Sequence, residues 1–452
     1  MLAVAYPLIL SQMSFTFQVF VDRLCLTWYG PEAVAGAVTG LFTTMSLIGL
    51  FIGTGEFLTT FVAQYHGARR PRRIGPAVWQ GIYFAVLSGF VLAALLPLVG
   101  PVFQAAGHPA EVMQAEVTYS SILLKGAFPT VLMVTLSTFF TGRGQTRLVL
   151  LVNVATTLVD TVLNYLWIFG KAGFPRMGVA GAAWSTIVAQ TLGAVVYLVL
   201  ILRPAHRRDH ATLSGWRLEP ALFGRLLRYG LPTGMQYCLE VLAFGLFMLI
   251  VGRLGTAALA ASSIAFNLNM IVFMPMLGLG FGVSSLVGRY LGADRPELAE
   301  RSTWSAFWMS LAYFAVCSAV YVLAPGLLIA PYAAGADPSS FAEVGRLTAV
   351  LLRIVALYSI FDMMNVVFAG GLRGAGDTTY PLVATLVLGW TAMLAPAWLL
   401  VAHGGGLIAA WAAPTTYIVL LGLLLMRRFR AGRWKSLRVI EPAPADLDAR
   451  TA

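Results

Sequence analysis

Charge is what this sequence has least of. Only 11% of its 452 residues are Asp, Glu, Lys or Arg, while 59% are hydrophobic. Soluble domains carry about 25% charged residues, so a soluble globular chain is excluded. Cysteine is almost missing. Cys25, Cys238 and Cys317 lie far apart in apolar stretches and form no Cys-x-x-Cys, which excludes a thiolate metal motif and leaves three small buried hydrophobes. Histidine is also scarce: His206 and His210 have i, i+4 spacing but sit in an Arg-rich loop without the metalloprotease glutamate. No Ser/His or Cys/His pair falls at membrane depth, and no His/Asp/Glu constellation is present, so an intramembrane enzyme has nothing to work with. The chain also lacks a filter-like sequence, which argues against a channel.

What is present is long apolar sequence. Stretches of roughly 20 or more apolar residues, the length that crosses ~30 Å of hydrocarbon, recur throughout. The first, Leu2 to Leu26, has no basic leader or small-residue cleavage site and is too long for a signal-peptide core. The pattern predicts twelve helices over 2–28, 33–65, 77–99, 112–141, 147–169, 178–202, 222–252, 258–290, 302–324, 342–370, 380–402 and 406–428. Gly/Pro punctuation separates them, as at Tyr29-Gly30-Pro31 and Gly173-Phe174-Pro175.

The net charge of +11 comes from loops on one side. Twenty-three basic residues follow the even-numbered helices, among them Arg69, Arg70, Arg72 and Arg73, then Arg203 to Arg228, and Arg427 to Arg438. The opposite loops hold four: Lys171, Arg176, Arg253 and Arg346. This is the positive-inside bias, with both termini cytoplasmic, and it assigns these clusters to lipid headgroups rather than nucleic acid.

The two halves repeat. An offset of 225 aligns Pro7 with Pro232, Gly30 with Gly255, Gly53 with Gly278, Tyr65 with Tyr290 and Pro71 with Pro296. Later the register shifts, and Gly144-Gln145-Thr146 answers Gly376-Asp377-Thr378. Six helices return the chain to its starting side, so the halves share an orientation and a pseudo-two-fold axis along the membrane normal. The expected fold is an all-α polytopic membrane protein: an N-terminal six-helix lobe (1–203), a cytoplasmic linker (204–221), a C-terminal lobe (222–428) and a cytoplasmic tail (429–452), disordered from about Glu441. Two lobes across a cleft suit alternating access.

Five acids fall well inside predicted helices: Asp22, Glu56, Asp160, Glu240 and Asp362. Each costs at least ~2.5 kcal/mol at a helix centre, and such residues mark ion or substrate pathways. At ~1.5 Å per residue, Asp22 lies about 12 Å from the outer end of its helix and Asp362 about 18 Å from its inner end. Asp160 and Asn164 stand one turn apart, and Tyr358, Asp362 and Asn365 form an i, i+4, i+7 stripe. Glu56 has no evident polar partner; Arg23, Lys125 and Arg353 are candidate counter-charges or interfacial anchors. Gly278-x-Gly-x-Gly282 lies in an apolar span with no preceding strand, so it reads as helix packing together with Gly36-x-x-x-Gly40 and Gly49-x-x-x-Gly53. Prolines 7, 129, 232, 275, 396 and 414 mark expected kinks.

These residues resemble the multidrug and toxic compound extrusion (MATE) family, most closely its NorM-like bacterial branch. The likeness covers nearly the whole chain: Pro7 and Asp22, GRGQTR at Gly142–Arg147, NYLWIFGKAGFPRMGVAGAAWST at Asn164–Thr186, LEVLAFGLFMLIVGRLG at Leu239–Gly255, FMPMLGLG at Phe273–Gly280, and FDMMNVVFAGGLRGAGDT at Phe361–Thr378. It implies a V-shaped pair of bundles in the bacterial inner membrane, working as a monomer without a cofactor. Such a protein exports amphipathic, often cationic, drug-like compounds in exchange for Na+ or H+. It implies a cation site at Glu240, Tyr358 and Asp362, and a cation or proton site at Asp22, Asn164 and Thr186. Asp160 departs from the family pattern, which commonly has Asn there, and adds a carboxylate to that second group. Helix 1 starts almost at Met1, whereas relatives usually have a short cytoplasmic leader, which leaves open whether the natural start lies upstream. The competing reading is a lipid-linked oligosaccharide flippase of the related superfamily; those have more helices and a basic cavity, whereas intramembrane acids outnumber bases here.

Overall fold

The computed structural model describes residues 1–333 and 338–442. Its described residues are helical or irregular, without a strand. The membrane-length helices are α1 (Ala3–Tyr29), α2 (Pro31–Gly67), α3 (Pro71–Ala94), α4 (Ala110–Lys125 and Ala127–Thr141), α5 (Thr146–Phe169), α6 (Val179–Ile201), α7 (Pro220–Gly252), α8 (Thr256–Gly292), α9 (Pro296–Leu323), α10 (Phe341–Ala375), α11 (Thr379–Ala402) and α12 (Leu407–Arg430). The starts follow local chemistry: Pro31, Pro220 and Pro296 stand in first turns, where a missing N–H costs nothing. At the far end of α5, Gly170 takes a left-handed φ of 66° and stops the helix.

Three expectations need correcting. The helix read as 77–99 begins at Ile74 and ends at Ala94, and a separate helix Leu96–Ala106 follows, with Pro97 in its first turn. The helix read as 112–141 bends by 49° at Gly126. In the eleventh helix a π-helical turn runs Gly389–Leu394, just before Pro396. Proline cannot donate to the carbonyl one turn back, and the wider turn absorbs that defect.

Among the described residues the largest apolar core of each half is built mainly from residues 247–434 and from residues 8–226, and a smaller one in the first half gathers Cys25, Leu26, Tyr119 and Ile168. The two large cores exchange ends: Ala5 belongs to the second-half core, while Leu222, Leu226 and Val439 belong to the first-half core. Lobe meets lobe where α1 packs on α8 and α2 on α7. Glycine makes that approach possible. A Cβ on Gly234 would lie 1.9 Å from the Leu50 carbonyl oxygen, and one on Gly278 would lie 2.6 Å from that of Leu8. Gly36 and Gly40 instead admit α4 against α2. The small-residue motifs thus pack helices.

The lobes are also tied by polar contacts at the end carrying the basic loops. Thr60 donates to the Arg373 carbonyl at 3.2 Å, Gln64 to that of Gly374 at 3.1 Å, and Ser285 to that of Thr141 at 2.8 Å. The segment after α12 straps this end. Trp434 stacks on Phe429 with centroids 4.6 Å apart, and the Val439 N–H donates to Gln64 Oε1 at 2.9 Å. Glu441, expected to begin a disordered tail, is held by Arg73 at 2.9 Å, Arg225 at 2.7 Å and the Tyr65 hydroxyl at 2.7 Å. Arg450 and the rest of 443–452 lie outside the described residues. Burial pushes the Glu441 carboxyl up, but hydrogen bonds from Tyr65 and Arg225 and the charge of Arg73 outweigh it and hold the acid at about 2.

Two predictions follow from this packing. Gly234→Ala should destabilise the protein by about 1–3 kcal/mol through overpacking. Gly245→Ala, on the same helix with nothing within 4 Å of its Cβ position, should be neutral or slightly stabilising; thermal unfolding in detergent compares them. For Glu441, the folded-state value lies below the ordinary 4.5. Its contribution is therefore complete above about pH 4.5 and lost as pH falls toward 2. Its partial exposure limits that contribution to on the order of 1 kcal/mol. Glu441→Gln should lower the unfolding midpoint at pH 7 and flatten its fall over that acid range.

Candidate ion-coupling site

The acids read from sequence gather into two clusters, one in each half. In the first, Asp22 comes from the middle of α1, and Asp160 and Asn164 from one face of α5, which packs along α1. Asp160 and Asn164 have no exposed surface and Asp22 keeps 9%. The Asn164 amide donates to Asp22 Oδ1 and, at 3.1 Å, to Asp160 Oδ2. One amide thus clamps two carboxylates, bringing like charges together in a dry setting. Thr186, named from sequence, joins with Gln18 and Ser185 around Asp160. Tyr119 of α4 and Arg23 place a phenol and a positive charge beside Asp22. Asp160 Oδ1 and Asn164 Oδ1 remain buried without a hydrogen-bond partner. Such oxygens call for a partner, which a water, a proton or a cation can supply.

The second cluster is built from α7, α10 and α12. Glu240 on α7 accepts a 2.9 Å hydrogen bond from Gln236, one turn back. Tyr358 and Asp362 lie one turn apart on α10, with Tyr358 fully buried. Glu240 and Asp362 are close enough to sense each other's charge, and Tyr417 of α12 senses both. Asn365, beside Asp362, reaches the Ile418 carbonyl at 3.4 Å but leaves its own Oδ1 buried and unpartnered. Two carboxylates with phenol and amide oxygens make a hard, all-oxygen donor set of the kind that suits Na+.

All seven site residues expected from sequence fall into these clusters. Gln18 and Gln236 were missed, although each lies four residues before a named acid and so on its helical face. Tyr119, Ser185 and Tyr417 come from other helices and gave no local signal. Glu56 belongs to neither cluster. It lies between the halves, where Tyr237 of α7 and Arg373 of α10 feel its charge or supply theirs. Of the three candidate counter-charges, Lys125 and Arg353 are exposed. Only Arg23 lies beside a site acid, and its guanidinium reaches Asn267 of α8 at 3.4 Å.

Comparison with known proteins gives this arrangement its context. The MatE family model matches residues 7–166 and again 232–397, the same start-to-start offset as the internal repeat. A probable multidrug resistance protein NorM from Mesorhizobium japonicum is 30% identical over 95% of this chain and 92% of its own length. The multidrug resistance protein NorM of Burkholderia vietnamiensis is 29% identical over 94% and 92%. Among solved structures, an outward-facing multidrug resistance MATE family transporter of the MOP superfamily superposes with a TM-score of 0.86. It covers 96% of both chains at 19% identity, a likeness of fold. A family model that matches both halves at the repeat's own spacing, a relative similar along almost the full length, and the same helical architecture together place this multi-pass membrane protein in the MATE family.

Proposed function

We propose that this chain is a secondary active antiporter of the bacterial inner membrane, exporting amphipathic, often cationic, compounds in exchange for Na+ or H+ by alternating access. The observation that carries this reading is the pair of acid clusters within membrane-length helices, each leaving at least one buried oxygen without a partner, in two lobes built on one repeat. A scaffold has no use for that cost. The relatives' names, multidrug resistance proteins, point to drug-like cargo. Glu240, Tyr358 and Asp362 bind the coupling cation, with Na+ favoured by the oxygen donors. Asp22, Asp160, Asn164 and Thr186 form a protonation switch in the other lobe. Occupying either cluster removes negative charge from the cleft and weakens its hold on a cationic substrate, so ion and substrate are coupled by differential affinity. The monomer suffices, because both lobes belong to one chain. The basic loops at the strapped end support a cytoplasmic position for that end and for both termini.

Two experiments test this. In inverted vesicles carrying the full-length protein, dye efflux should run on a Na+ gradient, a pH gradient or both. Glu240→Gln and Asp362→Asn should each lower gradient-driven efflux by roughly tenfold or more, the scale of a typical coupling free energy, while leaving the protein folded. Asp22→Asn should also impair it. If Na+ binds the Glu240→Gln/Asp362→Asn double variant as well as wild type and binding is lost only in Asp22→Asn, the cation belongs to the other lobe. Unchanged drug tolerance and dye accumulation across a broad panel, with the protein confirmed in the membrane, would favour the oligosaccharide flippase instead. For orientation, a reporter fused after Arg430 should read cytoplasmic and one inserted at 105–115 external; the reverse pattern overturns the assignment.

A further inference from the structure

A third buried acid lies outside both clusters. Glu116 of α4 has no exposed surface, although it is only two turns from the helix end opposite the basic loops. Its Oε1 accepts a hydrogen bond from the Thr39 hydroxyl at 2.5 Å and meets His108 Nδ1 at 2.8 Å. Its Oε2 is buried with no partner. Space for the pair is left by Gly36 and Gly40 of α2: a Cβ on Gly36 would come within 3.0 Å of the Glu116 amide nitrogen. His108 stands in the short loop before α4 with 41% of its side chain exposed. A fully buried carboxylate therefore has one titratable neighbour, and that neighbour touches water.

The surroundings leave His108 as the source of charge. The segments packed on this half of α4 are α2, α3, α6 and Leu96–Ala106. Neither α6 nor Leu96–Ala106 carries an acid or a base. The charged residues of α3, Arg72 and Arg73, lie at its far end, as does Glu56 on α2, while Glu32 is exposed at the first turn of α2. On α4 itself, Glu111 is exposed at the start and Lys125 at the bend. Three residues beyond Glu116, on the same face, Tyr119 packs over Gly40 and lines a pocket with Asp22, Arg23, Ala37 and Leu41.

We infer that His108 and Glu116 form a proton-entry site, through which protons from the side opposite the basic loops reach Asp22. The imidazolium Nδ1–H of His108 gives its proton to Glu116 Oε1, leaving a neutral ring and a neutral carboxyl. That carboxyl releases the proton toward the Tyr119 pocket and returns to carboxylate, and Asp22 accepts it. The Thr39 hydroxyl holds Glu116 in place throughout. An exposed histidine is suited to this step because its ring can take a proton from water at one nitrogen and give one up at the other. The inference rests on the coupling role proposed above for Asp22 and Asp160.

The test uses the full-length protein in two ways. In inverted vesicles, whose lumen corresponds to the external side, dye efflux driven by a proton gradient is followed as luminal pH is varied. His108→Gln should lower the rate roughly tenfold near neutral luminal pH, recover at lower pH, and leave Na+-driven efflux unchanged. Glu116→Gln should lower it without recovery. In nanodiscs, pH-difference infrared spectra should lose one titrating carboxyl band in Glu116→Gln, a signal that a packing role alone does not move. Wild-type dependence on luminal pH in His108→Gln, or an unchanged carboxyl spectrum in Glu116→Gln, overturns the site. Wild-type proton-driven efflux in Asp22→Asn would sink the coupling role instead, and the infrared result then decides Glu116 by itself.

Discussion

A carboxylate within a hydrocarbon-thick layer has three ways to exist: accept enough hydrogen bonds, bind a cation, or take a proton. Asp160 illustrates the problem. It has no exposed surface, shares the Asn164 amide with Asp22, and keeps Oδ1 unpartnered. Neither helix is free to relieve this, because α1 is also packed against α8 of the other lobe. Protein packing can satisfy part of the requirement at each cluster, and an exchangeable ion is the simplest way to satisfy the rest. In the antiport proposed above, that unmet demand would link the polar stripes of single helices to the movement of a whole lobe.

The helical repeat explains why two clusters exist. The halves descend through corresponding helices, so each lobe offers similar depths at which an acid can stand. Their chemistry nevertheless differs. In the first half a single amide bridges two aspartates at hydrogen-bonding distance, a geometry in which one proton relieves most of the repulsion. In the second half Glu240 is held by Gln236 and interacts with Asp362 only through its charge, with phenols and an amide nearby.

Much of this was legible in the sequence, for definable reasons. Hydrophobic length revealed the span count, because bilayer thickness sets helix length, and the identities at an offset of 225 revealed the repeat. Asp160 with Asn164, and Tyr358 with Asp362, were readable because helical spacing is local. The resemblance joined α1 to α5 and α7 to α10. Tyr119 and Tyr417 could not be read, since their places depend on which helices meet. Glu116 was passed over because it lies near a helix start, where an acid ordinarily faces water; only the Gly36–Gly40 contact buries it. Local rules also miss the docking of Glu441, a product of tertiary packing, whereas the bend at Gly126 falls one turn before Pro129, where a kink was expected.

Under the alternating access proposed above, the strap at the basic end would set the energetic scale of the cycle. To expose either cluster on that side, the lobes must part where Gly53 meets Gly234 and where Gln64 spans from Gly374 to Val439. The Arg73–Glu441 and Arg225–Glu441 pairs must then let go or move with one lobe. Partly exposed pairs of this kind are worth up to about 1 kcal/mol each, so the closed state gains at most about 2 kcal/mol from the two. Differential ion binding across two states commonly supplies 1–3 kcal/mol. The two quantities are commensurate, which lets a bound cation or proton shift the balance between open and closed ends. A much stronger strap would lock the protein on one side, and a much weaker one would let ions leak without cargo.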